Sequence, residues 1–236
     1  MQDHGHSKEE IARRIGAPPG RGVLRDVVYG AIDGSVTTFA IVAGVAGAGL
    51  SPLVIVALGL ANVLADGFSM AAGNYSGTKA ELDDMHRLRK VEERHIARYP
   101  EGERQEVREI LARKGLSGHV LKEATDEICS DRENWITLMM EGEYGLATVD
   151  PHPMRAALST FGAFLLAGMV PLMPFVLGVE GAFTLSIWMT AAVFFAIGAL
   201  KSRWSLSPWW RSGLETLAIG GVAATLAYVV GSMFHM

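Results

Sequence analysis

Apolar and polar positions along this chain fall in long blocks. Val27 to Leu50 and Leu53 to Ser76 are each apolar enough and long enough to cross a bilayer, which takes roughly 20 helical residues at about 1.5 Å apiece, and Ser51-Pro52 supplies the turn between them. Three further blocks follow, Ala156 to Leu177, Ala182 to Leu200 and Leu214 to Phe234, separated by Gly178-Val179-Glu180-Gly181 and by the stretch from Lys201 to Gly213. Between the second and third blocks the pattern turns charged and helical. It predicts helices over Lys79 to Tyr99, ended by Pro100; Glu101 to Lys114, ended by Gly115; Gly118 to Cys129, after a Ser117 cap; and Asp131 to Tyr144, with Ser130 and Glu133 as a capping box. Only Gly67, Gly73 and Gly77 interrupt the run from Leu53 to Tyr99, so the second span is expected to continue as one helix, tying the charged region rigidly to the membrane core. The fold class is all-α: a polytopic membrane protein of about five transmembrane helices with an inserted cytosolic helical domain. Its segments are 1–26, a cytosolic N-terminal stretch; 27–78, spans one and two; 79–153, the insertion; and 154–236, spans three to five.

Charge sharpens this division. Of the 25 acidic and 21 basic residues, 17 and 13 lie between Lys79 and Arg155, so the insertion alone accounts for the net charge of −4. It offers no basic stripe for nucleic acid and reads as a surface that attracts cations. The single cysteine, Cys129, excludes an intramolecular disulfide framework and a multi-cysteine zinc site and reads as a small buried residue. Arg21, Arg25, Lys79, Arg155, Lys201, Arg203 and Arg211 fall on one side of alternating spans and Glu180 on the other, which predicts that the N-terminus and the insertion are cytosolic. Trp204, Trp209 and Trp210 beside these bases read as an interfacial belt or as a packed loop. The polar N-terminus is neither a signal peptide nor a span; this fits a bacterial inner membrane, with a vacuolar-type membrane as the other option.

Ionisable groups at the centre of a span cost roughly 2.5 to 3.5 kcal/mol or more, so Asp33 and Asp66 call for a partner or a water-filled path. A polar interhelical contact is the plainer reading. Asn62, Asp66, Met70 and Asn74 recur every four residues and share a slowly drifting helical face. Asp33 lies about 10 Å along its helix from Asp26 and Met70 about 13 Å from Lys79, which sets the two at one depth. A carboxylate and a thioether together can hold a first-row divalent cation loosely and discriminate against Mg²⁺ and Ca²⁺. A carboxylate must lose its proton to ligate, so cation and proton compete for it, the physical basis of antiport.

In the insertion, Glu92 and His95, Glu103 and Glu106, and Met140 and Glu143, with Met139 adjacent, are spaced three apart. Each pair shares a helical face, so three helices could converge on one cluster of carboxylates and thioethers. Taken singly, each glutamate is more often a solvated surface charge, and the Met139-Met140 pair more often core packing than ligand.

Here the chain resembles the vacuolar iron transporter family of iron and manganese carriers, from about Arg21 onward. The resemblance rests on Tyr29-Gly30-Ala31-Ile32-Asp33-Gly34, on Gly67-Phe68-Ser69-Met70-Ala71-Ala72-Gly73-Asn74-Tyr75, on the acidic helices, on Trp135 with Met139, Met140 and Glu143, and on Gly168-Met169-Val170-Pro171-Leu172-Met173-Pro174. It implies a five-span homodimer with the metal path between subunits, a cytosolic three-helix metal-binding domain, and export of cytosolic Fe²⁺ or Mn²⁺ in exchange for protons. Asp33 and Met70 match that family's pore ligands, and Glu92, Glu103, Glu106, Met139, Met140 and Glu143 its soluble-domain ligands. Two positions depart: Asn62 stands where the family commonly has glutamate, and His95 where it has another acid. Asp66, one turn from Asn62 on the same face, is the candidate replacement carboxylate, and His95 keeps ligand capacity.

Two other classes compete. Glu92-Glu93-Arg94-His95 has the Glu-x-x-His form of ferritin-like di-iron sites, which suggests a membrane-anchored ferroxidase, but that fold needs two such motifs. A sensing or purely structural membrane protein would use its glycine-rich spans, including Gly220 and Gly221, for helix packing alone. The transported and bound ion is Fe²⁺ or Mn²⁺, which the donor types do not separate, and no organic cofactor is implied. Metal ions, protons, membrane lipid and a second copy of the chain are the expected partners.

Overall fold

The computed structural model describes residues 6–16, 23–146 and 151–234. Arg21, counted above among the bases, lies outside them. Among the described residues the secondary structure is helical throughout: α1 (Lys8–Gly16), α2 (Leu24–Gly47), α3 (Pro52–Arg98), α4 (Pro100–Arg113), α5 (Gly118–Ser130), α6 (Arg132–Gly142), α7 (Pro153–Val176), α8 (Ala182–Lys201) and α9 (Trp209–Ser232), with a short 3₁₀ turn at Ser202–Trp204. Five of these, α2, α3, α7, α8 and the last, are long and apolar enough to span a membrane. The chain divides into two compact units, one containing 78–152 and the other 22–77 with 153–236.

In the spanning unit the core is built where α2, the first half of α3 and α7 meet: Phe39, Val42, Ala43 and Val45 pack with Ile55, Val63 and Leu172. The outward faces stay apolar, with Leu58, Leu64, Leu166, Trp188, Val222 and Leu226 exposed. A water-soluble core would not leave so many large apolar side chains uncovered, whereas lipid is an apolar solvent for them. The approach of α2 to α7 depends on small residues. A side-chain carbon on Gly34 would lie 2.5 Å from the backbone oxygen of Phe164, and one on Gly30 would collide with that of Thr160. This is the small-residue packing that lets spans touch backbone to backbone.

Helix α7 carries Pro171 and Pro174 in its interior. Proline has no N–H, so Pro171 frees the carbonyl four residues earlier, Ala167. That carbonyl accepts from the buried Ser35 hydroxyl of α2 at 3.3 Å, and the Ser186 hydroxyl of α8 donates to the carbonyl of Pro171 at 2.7 Å. The carbonyl freed by Pro171 is thus answered by a hydroxyl of a neighbouring helix, as hydrocarbon requires. The span after α2 starts at Pro52 after Gly49, whose φ of 70° closes α2: its N–H bonds the Ala46 carbonyl at 3.0 Å while that of Leu50 bonds Val45 at 3.2 Å. The last span begins at Trp209, five residues before the sequence pattern places it, because Pro208 caps it and the two tryptophans belong to its first turn. Trp204, Trp209 and Trp210 are all exposed, with the Arg211 guanidinium over the Trp210 ring at 5.1 Å.

In the inserted unit, Val107 and Leu111 of α4, Leu121 of α5, and Trp135, Leu138 and Met139 of α6 form the core. Pro100 opens α4 at its first turn, and Gly115, at φ 97°, ends it: the N–H of Gly115 bonds Ala112 and that of Leu116 bonds Leu111. This left-handed closure is the geometry that glycine adopts without strain. The capping box expected at Ser130 and Glu133 is not formed. Asp131 caps α6, accepting from the Asn134 N–H at 2.9 Å, while Ser130 ends α5 with its hydroxyl on the Glu127 carbonyl and Glu133 pairs with Arg89 at 2.5 Å. The carboxylate next in sequence outcompetes the hydroxyl as a cap. A capping box does form at α1, between Ser7 and Glu10. Cys129 is partly buried against the core, and burial pushes its thiol up from the usual range.

Replacing Gly34 with alanine is expected to cost about 1 to 3 kcal/mol through overpacking against α7. Gly162→Ala, at a helical position with open space around it, is expected to leave stability unchanged or slightly raised. Thermal unfolding of the two purified variants in detergent checks the contrast.

Candidate metal centre

The two groups of candidate ligands fall in different units and are taken separately. In the inserted unit, Glu92 and His95 lie one turn apart near the end of α3, and Glu103 lies in the first turns of α4. Ligand atoms of these three side chains all come within 4.8 Å of one another. The Nδ1 of His95 is 3.5 Å from Glu103 Oε1 and 3.9 Å from Glu92 Oε1. The tight turn at Tyr99-Pro100 is what folds the start of α4 back beside the end of α3.

Glu92 is fully buried and Glu103 nearly so, at 6% exposure, and each keeps one carboxylate oxygen with no hydrogen-bonding partner. Burying a carboxylate oxygen with nothing to answer it is costly. The other Glu92 oxygen accepts from the Tyr144 hydroxyl at 2.7 Å. Burial, and then repulsion from Glu106 and Glu92, pushes Glu103 up to about 7. Burial followed by the charges of Glu92 and Glu106 also raises Glu143, and burial with the bond to Glu92 raises the Tyr144 phenol. These mutual effects bring Glu106 and Glu143 into the same electrostatic neighbourhood, although both side chains are solvent-exposed. A nest of acids that repel one another, partly desolvated and with empty lone pairs, is stabilised by a divalent cation more than by any single proton.

The two methionines stand differently. Met139 is fully buried within the hydrophobic core beside Val107 and Trp135, and Met140 is 8% exposed. For Met139 the packing reading of the sequence matches its surroundings. Tyr144 was missed as a site residue in the sequence, where it read only as a helix end; its position after Glu143 and before the chain-reversing Gly145 was the available signal.

In the spanning unit, Asn62, Asp66, Met70 and Asn74 are all half-buried while most of their α3 neighbours are exposed. The four-residue stripe thus lies along the side of α3 that meets other spans. Asn62 donates to the Thr37 hydroxyl at 3.3 Å, and Asn74 donates to Asp26 at 3.0 Å and to the Thr160 hydroxyl at 2.7 Å. Asp33, half-buried on α2, lies within electrostatic reach of Asp66. Thr37, one turn on, bonds the Asp33 carbonyl at 2.9 Å. Asn62, bonded to Thr37 of α2, serves as a neutral tie at the position where the sequence departs from the family pattern.

Five spans with a polar seam and an inserted acidic helical unit define an integral membrane protein of the transporter class. The profile of the VIT family matches residues 24–232. The chain belongs to that family, whose members are transporters and not enzymes. It is 32% identical over 214 residues to vacuolar iron transporter 1 of Arabidopsis thaliana, covering 89% of this chain and 86% of that protein. It is 33% identical over 211 residues to vacuolar iron transporter 1 of Tulipa gesneriana, with coverage of 88% and 85%. A vacuolar iron transporter of Toxoplasma gondii is 33% identical over 225 residues, or 90% and 74% of the two chains.

Because Glu103 holds its proton up to about pH 7 in the folded protein, against an ordinary value of 4.5, the ion-free fold binds more protons than the unfolded chain across that window. Stability contributed by this group is full below the lower value and is lost as pH rises through the higher one. A divalent ion binds the deprotonated form, so the thermal stabilisation it confers is expected to grow as pH is raised through that window. Glu103→Gln is expected to flatten that dependence, as read by metal-dependent melting curves at a series of pH values.

Proposed function

We propose that this protein carries a divalent first-row metal ion, Fe²⁺ or Mn²⁺, out of the cytosol in exchange for protons. The observation that carries the reading is the half-buried polar stripe of Asn62, Asp66, Met70 and Asn74 on α3, with Asp33 of α2 within electrostatic reach of Asp66. Two like charges within electrostatic reach favour either a bound proton or a bound cation, and each excludes the other, which couples the two fluxes. Met70 on the same stripe supplies a soft donor that favours first-row ions over Mg²⁺ and Ca²⁺. The names of the relatives, vacuolar iron transporters, support metal as the cargo.

In this reading Glu92, His95, Glu103, Glu106 and Glu143, with Met140 beside them, collect the ion on the cytosolic side. The placement of basic residues at the span ends supports that orientation. Two subunits enclose the path, and the membrane is a bacterial inner membrane or a vacuolar-type one. The ferroxidase alternative gains nothing: the sequence holds a single Glu-x-x-His, and two are needed for a bundle-type di-iron site.

Reconstitution in liposomes loaded with a fluorescent metal indicator, under an imposed pH gradient, tests transport, coupling and ion choice together. Uptake of Fe²⁺ or Mn²⁺ that accelerates with the proton gradient is expected. Asp66→Asn is expected to abolish it; uptake by this variant at the wild-type rate would refute the role of Asp66, and no uptake by the wild type under any gradient would refute the transport reading.

A further inference from the structure

The cluster of the inserted unit contains one donor unlike the rest. Glu92 and Glu103 supply oxygens, while His95 supplies a nitrogen, from a side chain that is 49% exposed and so stands at the solvent mouth of a pair of buried carboxylates. The two carboxylate charges balance a divalent ion, so the third donor can be neutral. The separations from the imidazole Nδ1, 3.5 and 3.9 Å, are close to the roughly 3.3 Å between ligand atoms around a tetrahedral ion with bonds of about 2.0 Å. The unpartnered oxygens, Oε2 of both Glu92 and Glu103 rather than the Oε1 atoms nearest His95, are an independent sign of a missing ligand. Tyr144 fixes the Glu92 carboxylate by its 2.7 Å bond, the kind of support that ligating carboxylates receive from their surroundings.

We infer that His95 is a specificity-determining residue, turning an otherwise carboxylate cluster into a mixed nitrogen–oxygen site that prefers Fe²⁺ and Zn²⁺ over Mn²⁺. The inference rests on the reading of this cluster as a metal-collecting site. The chemistry is that of the donor: imidazole suits iron, nickel, copper and zinc, whereas carboxylate, carbonyl and water suit manganese and the alkaline earths. An all-oxygen cluster of the same charge would bind manganese comparatively well. With the imidazole in place, the ions that form strong metal–nitrogen bonds gain and manganese does not. His95 sits outside the hydrophobic core, so its replacement tests the ligand rather than the fold.

The test uses the full-length protein in detergent, with Zn²⁺ as a redox-silent ion, Mn²⁺ as its competitor, and Co²⁺ as a coloured reporter. Binding to the wild type and to His95→Glu, His95→Gln and Glu103→Gln is measured by equilibrium dialysis. The ratio of Zn²⁺ to Mn²⁺ affinity is expected to fall on the order of tenfold or more in both His95 variants, and the visible Co²⁺ spectrum to change as nitrogen is replaced by oxygen. Glu103→Gln is expected to weaken both ions. An unchanged ratio and an unchanged Co²⁺ spectrum in the His95 variants, with Glu103→Gln still weakening binding, would overturn the inference and leave the metal-collecting reading standing. Binding of both ions that is indifferent to Glu103→Gln would overturn that reading, and the inference with it.

Discussion

In hydrocarbon a backbone N–H or C=O finds its partner in the protein or is left without one, and this requirement shapes the spanning unit from end to end. It explains why all five spans are helices and why their turns close on their own carbonyls, as Gly49 does for α2. It also explains why the carbonyl freed by Pro171 in α7 is met by a buried hydroxyl on α2. A kinked span alone would leave the Ala167 carbonyl stranded; beside Ser35 it becomes a contact. The same contact needs α2 and α7 nearly backbone to backbone, and that closeness is available only because Gly30 and Gly34 present no side chain there.

The polar seam, like the buried hydroxyls of Ser35 and Ser186, departs from apolar packing in this unit. Asparagines at 62 and 74 tie α3 to its neighbours by side-chain hydrogen bonds, and Asp66 between them lies within electrostatic reach of Asp33. Like charges held in a low-dielectric setting favour a bound proton or cation over two free charges.

The acidic cluster of the inserted unit follows the same principle in a water-exposed setting. Two buried carboxylates with idle oxygens, a third and fourth acid in electrostatic reach, and a Glu103 pushed to about 7 together describe a cluster whose charge a proton or a cation would answer. The hydrophobic core of Val107, Leu111, Trp135 and Met139 bears the cost of holding the helices in that register. Met139 belongs to that core and, by its sequence neighbourhood, is also a candidate thioether donor.

The sequence by itself determined the number of spans, the long continuous α3, the helical insertion and the terminators Pro100 and Gly115, because these follow from block hydropathy and local backbone chemistry that need no partner. It also determined which residues share a helical face, since helical spacing is a local property. Tertiary structure alone decided which faces meet. The bond from Tyr144 to Glu92 and the capture of the Ala167 carbonyl by Ser35 join residues far apart in the chain, and the convergence of His95 on Glu103 joins two helices across a turn. The cap of α6 was decided by local geometry that the sequence pattern left ambiguous, with Asp131 and Ser130 adjacent and both able to accept. Periodicity fixes direction around one helix; only packing fixes which neighbour lies in that direction.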